Sequence, residues 1–439
     1  MNNPSPTLPG MVGLSLALWF AAGCGDGITG NGDGDLDIRV SNIAVLDYAN
    51  NADASDIRVS FNTPAEADAV DGFRVIVVKN SAVAGFDLET ALQLSADRYH
   101  ELPRTTTGED VELPSALLDA GGDAVVEGAS YQVVVLSVAA QPDNQESQLS
   151  EFSSAFALER TSLVSTLATN IQGGSGGVAL DADGNIYMAD FGATLSFPDG
   201  DRVFKITPQG QVSVFATGFM GASGNDFDSQ GNLFQSNIGG QSISKIAPDG
   251  STSIFASGSP IVNTVGIYID EADELYVADC DGGQILHVDA GGTVSVYVRS
   301  ALFSCPNGIT RDDDGNYYTS NFYNGDVLKI TPEKDVSLLT TLPGDNNGHL
   351  TYHEGSLYVI ARSVHRIYKV SLDGDAEIFA GSGQRGHRDG SVLQASFSFP
   401  NDLVFSDDGT RLYVNEVAPL TGATTMIAPC NIRVIEIIE

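Results

Sequence analysis

GVALDADGNIYMAD, residues Gly177 to Asp190, decides how this chain reads. It holds an apolar run, then Asp181-Ala-Asp-Gly184-Asn185, then a second apolar run around Tyr187. Asp, Gly and Asn supply turn chemistry, and the flanking residues suit a pleated, buried surface, so two strands joined by a tight turn follow. The same order returns along the chain. Aromatic or equivalent centres of the second strand stand at Tyr187, Phe234, Tyr276, Tyr318, Tyr358 and Tyr413, spaced by 47, 42, 42, 40 and 55 residues. Each is followed by a third strand, as in Val203-Phe-Lys-Ile206, and five of them by a fourth, as in Val212-Ser-Val-Phe215. Four strands in a period of about 40–50 residues mark the blades of a propeller.

The sixth repeat reaches only its third strand, Ile432-Arg-Val-Ile435, while Leu163-Val-Ser-Thr-Leu167 stands unassigned before the first repeat and matches the missing fourth. The expectation is an all-β chain in which residues 161–439 form a six-bladed β-propeller. Thr161 to Asn170 would be the outer strand of the last blade. Closure between distant strands hides two sheet edges that would otherwise invite aggregation.

Residues 36–159 read as a separate β-sandwich. Ile57-Arg-Val-Ser-Phe61 alternates apolar and polar with period two, whereas Phe73 to Val78 and Tyr131 to Val138 are nearly continuous apolar runs, and Phe152 to Leu158 closes the set. Gly128-Ala-Ser-Tyr131-Gln-Val-Val-Val resembles the tyrosine-corner strand of fibronectin type III domains; Phe86 to Arg104 fits that pattern poorly and reads as an insertion. Residues 24–35 are Gly- and Asp-rich and read as a flexible tether. Before them, Met11 to Ala22 is free of charge, of a length that suits a signal peptide and too short for a spanning helix, which needs about 20 apolar residues. Phe20-Ala-Ala-Gly-Cys24 resembles the lipobox of bacterial lipoproteins. That resemblance implies a signal peptide over 1–23, a lipid on Cys24 and attachment to the cell envelope. By the sorting rule of that class, Gly25 favours the outer membrane.

The 57 acidic against 21 basic residues give a net charge of −36. Such a field repels phosphate backbones, so nucleic acid is not an expected partner. Four cysteines occur and none shows CxxC spacing, which argues against a zinc site. Cys280, ending a second strand, and Cys305, entering the next blade on the same rim, are the disulfide candidates; Cys430 is left over.

AGSGQRGHRDGSVLQASFSFPNDL, Ala380 to Leu403, looks like the junction of NHL repeats, and Gly177 to Asp190 resembles the same repeat. Pro306-Asn307-Gly308 with its following Asp-Gly-Asn turn is similar to the SMP-30/gluconolactonase/strictosidine-synthase-like group. The resemblance covers residues 161–439 and speaks to fold more than to activity. In the metal-dependent lactonases of that group, ligands sit where first strands enter the channel mouth. The matching positions are Gly176, Ser223, Val265, Asn307, Asn347 and Asn401, with Asn225 and Asp402 just beyond. Three amides with no aligned Glu make a weak site for Ca²⁺ or another divalent cation. Asp190 and Asp279, ending second strands on that rim, are further candidate ligands, and His349 is the candidate acid or base. Two readings stand. One is a non-catalytic, monomeric platform that binds an envelope protein, polysaccharide or small molecule at the rim. The other is a divalent-metal lactone hydrolase.

Overall fold

The computed structural model describes residues 36–140, 146–159, 161–420 and 425–438. Cys24 and the tether lie outside the described residues. Among those described, no helix is long and apolar enough to cross a membrane.

The N-terminal part consists of two antiparallel sheets. Ser41–Asp47, Ile57–Asn62 and Val111–Glu112 form one; His100–Pro103, Val70–Lys79, Ser130–Ala139 and Gln148–Leu149 form the other, with Phe156–Ala157 also on Ser130–Ala139. Ile57, Val59 and Phe61 meet Phe73, Val75, Val77, Tyr131, Val133 and Val135 between the sheets. The second sheet is buried on its other face too. There Ile76, Val78, Val134 and Leu136 lie beneath Phe86, Leu88, Tyr99 and Phe152. Burial on both faces is why those two strands are apolar throughout, while Ile57–Asn62 alternates. The segment read as an insertion therefore belongs to the domain. It supplies the edge strand His100–Pro103, paired to Val70–Lys79, and the short helix Leu88–Leu92, whose Thr90 N–H donates to the capping Asp87. The Tyr131 hydroxyl accepts the Val126 N–H at 3.0 Å.

Five four-stranded antiparallel meanders follow, over 175–217, 222–257, 264–299, 306–341 and 347–380. A further sheet joins Leu403–Phe405, Arg411–Val417 and Cys430–Glu436 to Leu163–Ile171, with Gly390–Ser391 outermost. In it, Leu163–Ile171 runs antiparallel to Cys430–Glu436, Ile435 opposite Val164. The first strands touch one another in sequence, and Leu403–Phe405 touches both Asn347–His353 and Ser175–Leu180, so the sheets form a ring. Four of the sheets are wedged by aromatic contacts between their second and fourth strands: Tyr187 with Phe215, Phe234 with Phe255, Tyr276 with Tyr297 and Tyr358 with Phe379, centroids 4.8–5.2 Å apart. The central lysine of the third strand lies over the same ring, as Lys205 does on Tyr187 and Lys245 on Phe234.

The first strands are built for close approach. Those of the five meanders each carry a bulge: Ser175 opposes Asp190 yet Val178 opposes Met188, and the other four repeat this offset. The last bulged residue is Gly177, Gly224, Gly266 and Gly308 in four sheets. A Cβ on Gly224 would stand 2.3 Å from the Val265 carbonyl oxygen and 2.7 Å from the Gly266 Cα, so neighbouring strands pack backbone to backbone. At the same register the remaining two sheets carry His349 and Asp402.

Candidate functional site

The first strands begin, and the second strands end, at one end of the ring; the Asp-Gly turns between them lie at the other. At the first end the rim amides bond to backbone. Asn307 Nδ2 donates to the Asn347 carbonyl (3.1 Å), Asn401 Nδ2 to that of Ser175 (2.9 Å) and Asn347 Nδ2 to that of Asp326 (3.3 Å), while Asn225, past the bulge and deeper in the ring, donates its Nδ2 to the Tyr187 carbonyl (3.2 Å). The carboxylates brace the approach to their own sheet. Asp190 accepts the Gly174 N–H at 2.7 Å and pairs with Arg202, and Asp279 accepts the Asn263 N–H at 2.6 Å and the Gln284 amide. The alignment of Asn347 with Asn307 needs correction. Asn347 opposes Ala361 as Pro306 opposes Asn321, so Gly348 is the residue that matches Asn307. Cys280 and Cys305 are joined by a disulfide, buried with Val265 beside Ile238 and Phe322. Cys430 is a free, buried thiol whose Sγ donates to the Ile427 carbonyl.

Deeper in the ring, toward the turn end, the first strands of all six sheets line a cavity of about 260 Å³. It brings together three residues read as candidates, Asn225, His349 and Asp402, and leaves out Asn307, Asn347, Asn401, Asp190 and Asp279. His349 does not stand alone at the mouth. It is buried, with Nδ1 3.2 Å from Asp402 Oδ2, which also accepts the Val178 N–H at 2.8 Å. Asp402 thereby ties two neighbouring first strands while facing the imidazole. Asp226 does the same job elsewhere in the ring: its Oδ2 accepts the Ile269 N–H and its Oδ1 the Phe227 N–H, each at 2.9 Å. Thr310 Oγ1 accepts the Tyr352 N–H at 3.1 Å.

Asp226, Arg311 and Tyr352 also line the cavity, and nothing in the sequence reading singled them out. A signal existed for Asp226. It is the one carboxylate at a register held by Ala179, Tyr268, Thr310 and Thr351 in other sheets. Burial pushes its carboxyl up to about 7, the charge of Asp402 adding to the effect against the two N–H donors. Folded protein therefore holds this proton more tightly than unfolded chain. The resulting stability is fully present below about pH 4 and is lost as pH rises through about 7, by as much as about 4 kcal/mol. Asp226→Asn should abolish that component, so urea denaturation at pH 4.5 and pH 8 should show the variant gaining on wild type at the higher pH.

The ring thus offers a His–carboxylate pair, a second carboxyl poised between its two protonation states, and hydroxyl and guanidinium groups at the turn end. Among the described residues, no group of three or more His, Cys, Asp or Glu side chains is placed to hold a metal ion.

No protein-family model matches the chain, and no curated protein matches it. Solved structures do. An auxiliary nutrient binding protein from Bacteroides thetaiotaomicron superposes over 91% of this chain and 97% of its own, with a TM-score of 0.53 and 12% identity. A protein of unknown function from the same organism covers 90% and 98%, with a TM-score of 0.50 and 14% identity. A gluconolactonase from Xanthomonas campestris covers 63% and 89%, at 0.48 and 15%. The ring is a β-propeller. At these identities the likeness concerns the fold alone, and the propeller's chemistry rests on its own residues.

Proposed function

We propose that this protein is a lipid-anchored envelope protein whose propeller binds a small polar molecule in the channel cavity, without turning it over. The observation that carries this reading is the convergence of Asp226, His349, Asp402, Arg311 and Tyr352 on one cavity built from every first strand. About 260 Å³ falls just below the ~300–1,000 Å³ usual for small-molecule pockets, which favours a compact ligand of roughly monosaccharide size over a polymer. The mixture of carboxyl, imidazole, hydroxyl and guanidinium groups matches a ligand rich in hydroxyls.

The finer architecture belongs to the same proposal. The ring is read as six blades, the last completed by Leu163–Ile171. Residues 36–159 are read as a fibronectin type III-like sandwich, supported by the two-sheet packing and the Tyr131–Val126 hydrogen bond. Residues 1–23 are read as a signal peptide and Cys24 as the lipid-bearing residue, with the tether and sandwich as a spacer below the propeller. Outer-membrane placement rests on the lipobox-like string and Gly25. Nucleic acid is not an expected partner of a chain with a net charge of −36.

The test is a set of monosaccharides, glucose, galactose, mannose and xylose among them, titrated into wild type, Asp226→Ala and His349→Ala by calorimetry and thermal melting. At least one sugar should raise the wild-type midpoint by a few degrees when present well above its dissociation constant. Both variants should lose that gain. A set that binds nowhere, or binds the variants as it binds wild type, refutes the channel reading.

A further inference from the structure

The residue four places after the central aromatic of each second strand lies at the end of the ring away from the turns. It reads Phe191, Ile238, Cys280, Phe322, Arg362 and Val417. Five are apolar or disulfide-bonded, and the sixth is an arginine. Arg362 is only 2% exposed, and its Nε and Nη2 have no hydrogen-bond partner among the described residues. Among the described residues, no carboxylate pairs with it. Its Cζ lies 5.0 Å from the centre of the Phe399 ring, and that of Arg385 lies 4.6 Å from the same centre. Arg385 uses its own donors on Ser398 Oγ (3.1 Å) and the Pro419 carbonyl (2.6 Å). Glu416, also buried, is committed to Arg433, His387 and the Ser398 N–H. A chain of net charge −36 therefore buries a guanidinium and gives it a second cation and an aromatic face, but no counter-charge among the described residues. An unpaired buried charge is costly, and neither Nε nor Nη2 of Arg362 has an acceptor among the described residues.

The surroundings define what such a ligand looks like. The Phe399 ring lies against the guanidinium, and the loops at this end of the ring expose Phe197, Met220, Tyr323 and Leu420 to solvent. We propose that Arg362 anchors an anion site at this mouth, separate from the channel cavity. Its ligand is the carboxylate of a small organic acid with an apolar body. The planar fork of the guanidinium suits two carboxylate oxygens at once, and the aromatic neighbours suit the body. An acidic protein segment is disfavoured, because the rest of the surface would repel it.

The experiment titrates benzoate, inorganic phosphate and benzyl alcohol into wild type and Arg362→Met, reading heat and thermal midpoint. Benzoate should bind wild type at least tenfold more tightly than phosphate, and benzyl alcohol should not register. Arg362→Met should weaken benzoate roughly ten- to hundredfold. Unliganded, this variant should melt at or above wild type, because an apolar side chain of similar length replaces a cation without a partner. Arg385→Ala, at a more exposed position, should weaken benzoate while keeping the fold. The proposal falls if wild type takes up no millimolar benzoate or binds benzyl alcohol as well. It also falls if phosphate binds as tightly, or if Arg362→Met either binds benzoate unchanged or melts well below wild type.

Discussion

Glu416→Ala should destabilise the protein by about 3–5 kcal/mol, read as a lowered urea midpoint. Glu416 is fully buried. Its Oε1 accepts Arg433 Nη1 at 2.9 Å and stands 2.8 Å from His387 Nδ1, while Oε2 accepts the Ser398 N–H at 2.7 Å. Arg433, equally buried, reaches on to the Ser396 and Arg388 carbonyls and to Asp389, which accepts the Thr166 hydroxyl. Glu416 and Asp389, bridged by Arg433, thus hold together the long connection before Leu403–Phe405, the strand Cys430–Glu436 and the strand Leu163–Ile171. Removing Glu416 leaves a buried guanidinium without its main counter-charge. Replacing both members, Glu416→Leu with Arg433→Leu, should recover much of the loss, since neither charge is then stranded. A Glu416→Ala loss below about 1 kcal/mol would mean that water or Asp389 carries the charge instead.

Gly224→Ala is the second large effect, at about 3 kcal/mol. The added methyl would meet the Val265 carbonyl oxygen and the Gly266 Cα, both backbone, so no side chain can swing aside. The two innermost strands would have to separate, disturbing the cavity wall that Gly224, Asn225 and Asp226 help to form. Gly85→Ala is the control: its Cβ meets nothing within 4 Å, and the effect should stay within about 0.5 kcal/mol. Equal behaviour of the two variants in chemical denaturation would refute the close-packed ring.

The repeat was readable because its signals are periodic and local. Asp-Gly turns, a central aromatic and a lysine one strand later recur wherever a sheet needs its second, third and fourth strands wedged together. The chemistry was harder to read because it depends on register across strands. Asn307-Gly308 and Asn347-Gly348 are identical pairs, yet the bulge places them one step apart, and only the opposing residues Asn321 and Ala361 reveal it. That same step turns His349 from a residue at the mouth into one facing Asp402 inside the ring. Asp226 stayed hidden because a carboxylate in a strand looks like solvent-facing charge until its neighbours close around it. Arg362 stayed hidden for the converse reason: a sequence records an arginine but not the absence of its partner. In the N-terminal part, the doubly apolar strands already implied a cover on both faces. Phe86 to Arg104 supplies most of it, together with Phe152.

The pairing of Leu163–Ile171 with Cys430–Glu436 also sets an order of events. Meanders such as 222–257 join residues near one another in the chain and can form as soon as they are made. The seam joins the beginning of the ring to its end, so it waits for almost the entire ring to be synthesised. Until then the nascent molecule carries two open strand edges. A cell making it must shield them, and a ribosome stalled within the last sheet would release an incomplete ring that invites pairing with other chains.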